Sequence, residues 1–179
     1  MNTTIRLYEN DPYIKEWESN VIQVIKKEED ILVVLDETIF FPEGGGQPAD
    51  TGYIDDARVL YVFEKNGIIY HKIDKVIEEK KVLIKLDYEV RLDHMQQHCG
   101  EHILSGVFLK LYGGKNKGFH MGEDYVTADI DLEDITSDMV NKAEELANKY
   151  IYESREIKTY VVNKEEAEKI IKDVAVNGL

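Results

Sequence analysis

Arg58-Val-Leu-Tyr-Val-Phe-Glu-Lys-Asn-Gly-Ile-Ile-Tyr-His-Lys-Ile73 places two runs of β-branched and aromatic residues on either side of Asn66-Gly67. Asn-Gly is favoured where both central residues of a tight turn need a positive φ, so this stretch predicts a β-hairpin. On its N-terminal side, Val21–Ile25 and Ile31–Leu35 are further apolar runs of strand length, and Val82–Leu86 follows on the other side. Lys27-Glu-Glu-Asp30 and Asp55-Asp56 are turn signals between them. Several short strands with little helical sequence among them predict a small all-β barrel or sandwich.

After this half the period changes. Val90–Tyr112 carries Leu92, Met95, Ile103, Leu104, Val107, Phe108 and Leu111 and stops at Gly113-Gly114, the pattern of an amphipathic helix with a glycine end. Tyr125–Ile130 alternates like a strand. Ser137–Tyr152 is a second helical stripe with Thr136 or Ser137 as N-cap. Ile157–Val162 reads as another strand and Lys164–Lys172 as a short helix. The expected class is therefore α+β: a β subdomain over residues 1–88 that carries a glycine-rich loop, then an α+β domain over residues 89–179.

Composition narrows the function classes. The chain has 179 residues, with 22 Lys and Arg against 36 Asp and Glu, for a net charge of −14. That balance argues against non-specific nucleic-acid binding, which depends on cations neutralising phosphates. A single cysteine, Cys99, excludes an internal disulfide and a cysteine-rich zinc module. No apolar run approaches the roughly 20 residues of a membrane helix, and the N-terminus is polar. A soluble cytoplasmic protein, not engaged with membrane, is expected.

Two constellations carry chemistry. His94, His98 and His102 recur every four residues on the predicted helix, so two overlapping pairs can each offer a zinc ion two nitrogens. All three converge less well, because eight residues at ~100° each drift about 80° around the helix. Spacing alone leaves the choice of pair open. Cys99 lies ~100° from His98 and is read as a packed thiol. The second constellation is Phe40-Phe-Pro-Glu-Gly-Gly-Gly-Gln-Pro-Ala-Asp50. Three glycines allow the backbone to approach a ligand and present N–H groups, and Pro42 and Pro48 stiffen the ends. Gln47 adds a neutral donor and acceptor. The motif is neither a P-loop nor a dinucleotide fingerprint.

Together, Thr38-Ile-Phe-Phe-Pro-Glu-Gly-Gly-Gly-Gln-Pro-Ala-Asp-Thr-Gly52 and Arg91-Leu-Asp-His-Met-Gln-Gln-His-Cys-Gly-Glu-His-Ile-Leu-Ser105 resemble the AlaX family, free-standing relatives of the alanyl-tRNA synthetase editing domain. The similarity continues through Phe119-His-Met-Gly122 and Glu144–Asn148. It is greatest to the medium and long members, which carry the glycine-rich motif. The resemblance implies a small β-barrel followed by an α+β domain of the second additional domain type of threonyl- and alanyl-tRNA synthetases. It implies a zinc-dependent, ATP-independent hydrolase that removes serine or glycine from mischarged alanine tRNA, serving translation fidelity. It implies zinc on His98 and His102, Gln47 beside the metal, Thr38 sensing the seryl hydroxyl, and Gly44, Gly45 and Gly46 lining the substrate.

One departure stands out. The family completes its zinc site with a later Cys-x3-His pair, and no cysteine follows Cys99 here. The expectation is a chain that is C-terminally incomplete relative to the family. Its zinc site would then be incomplete, weak, or finished by water or borrowed ligands. His120, the only later histidine, is read as a strand residue packed near the barrel. Two rival readings remain. One is an editing-like module that binds tRNA or a synthetase without catalysis. The other is a metallopeptidase of the inverzincin type, since His98-Cys-Gly-Glu-His102 fits H-x-x-E-H with Glu101 as general base. Lys110, Lys115 and Lys117 form the one local basic loop. At −14, tRNA recognition would rest on a few placed groups. Oligomeric state is not readable.

Overall fold

The computed structural model describes residues 3–122, 125–156 and 162–177. The chain divides into two compact units, Met1–His98 and Cys99–Leu179. The predicted strand Ile157–Val162 lies almost wholly outside the described residues.

The first unit is built on strands β1 (Ile5–Arg6), β2 (Glu16–Lys27), β3 (Asp30–Leu35), β4 (Glu37–Thr38), β5 (Gly52–Ile54), β6 (Ala57–Lys65), β7 (Ile68–Ile73) and β8 (Lys81–Leu86). Six of them close into an antiparallel barrel in the order β2-β3-β7-β6-β5-β8, with β8 returning to β2. The expected hairpin is present: Asn66 and Gly67 sit at φ 54° and 78° and join β6 to β7. Alternation decides the inside. Along β8, Val82, Ile84 and Leu86 are buried while Lys81, Leu83 and Lys85 face out. They meet Val33, Leu35, Phe40, Ile54, Val59, Val62 and Ile69 in one apolar core.

The pairing register slips at Ile22 in β2 and at Leu60 in β6, and both residues are exposed. Such bulges bend and twist a strand, which is how a six-stranded ring closes. β5 was not anticipated. It has three residues, too few for a period to show, yet it bridges β6 and β8. Gly52 is required there, because a Cβ would lie 2.1 Å from the Lys85 carbonyl oxygen.

Helix α1 (Tyr88–Tyr112) starts in the first unit and ends in the second. Gly113, at φ 72°, terminates it by donating its N–H to the Leu109 carbonyl. The second unit continues with the antiparallel pair β9 (Lys115–Met121) and β10 (Val126–Asp131), then α2 (Ser137–Tyr152) and α3 (Lys164–Asn177). Thr136 caps α2 through the Met139 N–H. Ala143, Ala147 and Tyr150, spaced four and three apart, bury its inner face with Val107 and Phe108.

β9 corrects the reading of Lys115 and Lys117 as a loop. Nor are the basic groups idle: Lys117 pairs with Asp131 at 3.0 Å and Lys110 donates to the Tyr150 hydroxyl at 2.9 Å. His120 is on a strand, as expected, but exposed. The architecture is α+β. Among the described residues no helix is long and apolar enough to cross a membrane.

Candidate active site

The glycine-rich segment is a tight turn. Gly44 and Gln47 exchange backbone hydrogen bonds of 3.1 and 3.0 Å, with Gly45 and Gly46 between them at φ 59° and 82°. Two consecutive positive φ values make a type I′ geometry, which explains the glycines at these positions. The turn differs from an open loop presenting all its amides, because the N–H groups of Gly44 and Gln47 are already bonded to each other's carbonyls.

The ends of this segment are tied down. Asp50 donates its N–H to the Phe41 carbonyl, and its carboxylate accepts the Phe41 N–H at 2.6 Å. The same carboxylate pairs with Arg91 on α1. Arg91 also donates to the carbonyls of Ile39 at 2.7 Å and Pro12 at 3.1 Å. Its side chain thus reaches four oxygens, three of them buried oxygens that need a donor. A second clamp lies at the start of α1. Arg58 reaches Asp87 with two nitrogens, at 3.0 and 2.6 Å, and Thr51 donates to Asp87 at 2.5 Å. The guanidinium beside it holds the Asp87 carboxyl below the usual carboxylate range, and Asp87 raises Arg58 in turn.

With both elements fixed, Gln47 meets His98. Gln47 Oε1 and His98 Nδ1 are 2.9 Å apart. A carbonyl oxygen only accepts, so Nδ1 carries the proton and the ring lone pair is on Nε2. His94, one turn earlier, has a buried Nδ1 with no hydrogen-bond partner. In the second unit His102 is mostly exposed, with Nδ1 3.3 Å from Glu101 Oε2. Cys99 is a free, half-buried thiol.

Thr38 is fully buried. His71, equally buried and not singled out from sequence, explains it. His71 Nδ1 lies 3.1 Å from the Val33 carbonyl oxygen, so Nδ1 is the donor there and Nε2 is an acceptor. Thr38 Oγ1, 2.9 Å away, must then donate to Nε2, and it accepts the Phe40 N–H at 3.1 Å. Burial pushes the His71 pKa down to about 4, so the ring is neutral. The Thr38 hydroxyl is left with acceptor capacity only.

A metal site can be tested against these contacts. Ligand histidines typically hold one ring nitrogen against an oxygen and turn the other to the metal. His98 meets that requirement through Gln47, and His102 has a carboxylate oxygen at the corresponding nitrogen. Two imidazoles are half of a tetrahedral set. Among the described residues no group of three or more His, Cys, Asp or Glu comes together.

Comparison with known families matches residues 10–94 to the family of class II (A) tRNA synthetases. The chain is 42% identical over 156 residues to the alanyl-tRNA editing protein AlaX-L of Pyrococcus horikoshii, covering 82% of this chain and 38% of that protein. It is 37% identical over 177 residues to AlaX-M of Methanosarcina barkeri, covering 92% and 72%. It is 34% identical over 165 residues to the alanine–tRNA ligase of Pyrococcus furiosus, covering 87% and 18%. The chain therefore spans well under half of two of these relatives and nearly three quarters of the third.

Proposed function

The chain belongs to the AlaX family of alanyl-tRNA editing proteins, and from that membership we propose that it deacylates mischarged alanine tRNA, hydrolysing the ester to serine or glycine. The observation that carries the proposal is the 2.9 Å contact between Gln47 and His98. It joins the two motifs that the family resemblance singled out, though they lie 51 residues apart.

In this reading the barrel subdomain, residues 1–88, supplies the glycine-rich turn. Residues 89–179 form an editing domain of the type shared by threonyl- and alanyl-tRNA synthetases. His98 and His102, one turn apart on α1, would hold zinc through Nε2. When bound, zinc would supply Lewis-acid polarisation of the ester carbonyl. Gln47 fixes the His98 ring so that its lone pair is presented in one direction. Gly45 and Gly46 keep the turn tight, and the turn sets the position of Gln47. Thr38, an acceptor by virtue of His71, selects for a substrate that can donate. Alanine lacks that hydroxyl. The setting is the cytoplasm and the partner is alanine tRNA.

The peptidase alternative loses its general base. The Glu101 side chain is 1% exposed, and one of its oxygens already accepts from Ser105 and Asn116.

The test is deacylation of alanine tRNA charged with serine, glycine or alanine, with and without added zinc. Release of serine or glycine in preference to alanine, lost in His98→Ala and in Gln47→Ala, supports the proposal. Tight binding of mischarged tRNA with no release at any zinc concentration would favour the non-catalytic binding module.

A further inference from the structure

The second unit contains a buried polar cluster that the proposed reaction does not use. The Glu101 side chain, on α1, is 1% exposed. Its Oε1 accepts from both the Ser105 hydroxyl and the Asn116 side-chain amide, and Asn116 also donates to Ser105 at 2.9 Å. That oxygen is saturated and clamped, by one residue a turn further along α1 and one on β9. The other oxygen is in the opposite condition. Glu101 Oε2 is buried and has no aligned hydrogen bond. His102 Nδ1 lies 3.3 Å from it, within ion-pair range but not oriented for a hydrogen bond.

A buried carboxylate oxygen without a donor costs about 1–3 kcal/mol or more, so such an atom in a folded chain calls for a reason. Serine and asparagine could have satisfied both oxygens. Instead they hold one and leave the other 3.3 Å from the His102 imidazole.

We propose that Glu101 is a positioning residue for His102. Ser105 and Asn116 lock its carboxylate with Oε2 3.3 Å from His102 Nδ1, from where a small turn of the exposed ring lets Oε2 accept the Nδ1–H and fixes the lone pair on Nε2. This rests on the reading of His102 as a metal ligand. It makes the second histidine a counterpart of the first, with Glu101 standing to His102 as Gln47 stands to His98. A carboxylate behind an imidazole holds both its tautomer and its orientation. Free histidine in water prefers the opposite tautomer, with hydrogen on Nε2, which is the wrong one for a ligand that binds through Nε2.

The substitution that isolates the effect is Glu101→Gln. The new side chain is isosteric, and its carbonyl oxygen takes the place held by Ser105 and Asn116. Its NH2 group then faces His102 Nδ1 and donates where the carboxylate accepted. Nitrogen-15 NMR of the imidazoles in the metal-free full chain should show His102 with hydrogen on Nδ1, and on Nε2 in Glu101→Gln. Zinc alone, titrated against a competing chelator, should bind about 10- to 100-fold more weakly to the variant. Ser105→Ala, which keeps Oε2 in place, should retain the parental tautomer.

A parent chain whose His102 carries hydrogen on Nε2 overturns the proposal without any variant. So does a Glu101→Gln chain with unchanged tautomer and zinc affinity. If the tautomer switches as stated but neither chain binds zinc, the positioning role stands and the assignment of His102 as a ligand fails.

Discussion

Arg91 and Asp50 are 3% and 2% exposed, and the guanidinium of one is paired with the carboxylate of the other inside the first unit. One residue is in the first turn of α1 and the other closes the glycine-rich segment, so a single buried ion pair fixes the two elements that carry His98 and Gln47. Breaking a buried pair leaves an uncompensated charge and typically costs about 3–5 kcal/mol. Asp50→Ala should destabilise the protein by about that amount in urea titration. Arg91→Ala should do at least as much, since it also orphans the carbonyls of Ile39 and Pro12.

His71 gives the protein an acid sensitivity of defined sign. Burial lowers its pKa from 6.5 to about 4. Between those values the unfolded chain binds a proton that the folded chain refuses, so the stabilisation is present above pH 6.5 and is lost as pH falls toward 4. The loss is on the order of 3 kcal/mol at most. Chemical denaturation at pH 7 and at pH 4.5 should show it, and His71→Gln should have a flatter profile over the same interval.

Thr38→Val removes the donor to His71 Nε2 and the acceptor for the Phe40 N–H while keeping the shape. A loss of about 1–3 kcal/mol is expected from the orphaned groups. Serine-versus-alanine discrimination should also fall, read as the ratio of kcat/KM values for the two charged tRNAs. An unchanged ratio would confine Thr38 to a packing role.

The turn at Gly45-Gly46 should tolerate asparagine far better than a branched residue. Gly45→Asn adopts φ near 59° with little strain, whereas Gly45→Val should cost about 1–2 kcal/mol in thermal melts. A Cβ at Gly45 would meet nothing within 4 Å, so the penalty is conformational and not steric.

Zinc should bind this chain weakly and be surrendered to a competing chelator, because two imidazoles are half a shell. Gln47→Ala should weaken it a further 10- to 100-fold or so, by releasing the His98 ring. Tight one-to-one binding by the chain as it stands would contradict this.

What could be read in advance follows physical lines. The Asn66-Gly67 hairpin and the alternating strand at Val82–Leu86 declare themselves, because a turn type and a two-residue period are local properties. Ser137–Tyr152 does so through its cap and its four-three stripe. The first half of β9 does not, since Lys115-Asn-Lys-Gly118 is held as a strand by pairing with β10 and not by its own preference. The bulges at Ile22 and Leu60 answer to ring closure, which no short window contains. Within the site, the motifs named Gln47, His98, His102 and Thr38. That Gln47 faces His98 depends on a fold that brings together residues 51 apart. His71 sits at an alternating inward position where an apolar residue would pass unnoticed, so only its hydrogen bonds reveal it. Asp50 and Arg91 were inside the quoted motifs, but their pairing was not visible from either.

The barrel's seam has a consequence for how the chain acquires its shape. β2 pairs with β3 across a two-residue turn, but its other half pairs with β8, where Glu16 stands opposite Lys85. That contact joins positions nearly 70 apart in sequence, so it pays loop entropy before it gains packing. The first-made strands can form hairpins as they emerge from a ribosome, but the ring cannot be sealed until Leu86 is outside the exit tunnel. Folding of this unit should therefore be slow for its size, and an experiment that arrests translation before and after Leu86 has cleared the exit tunnel should find protease resistance only in the longer product.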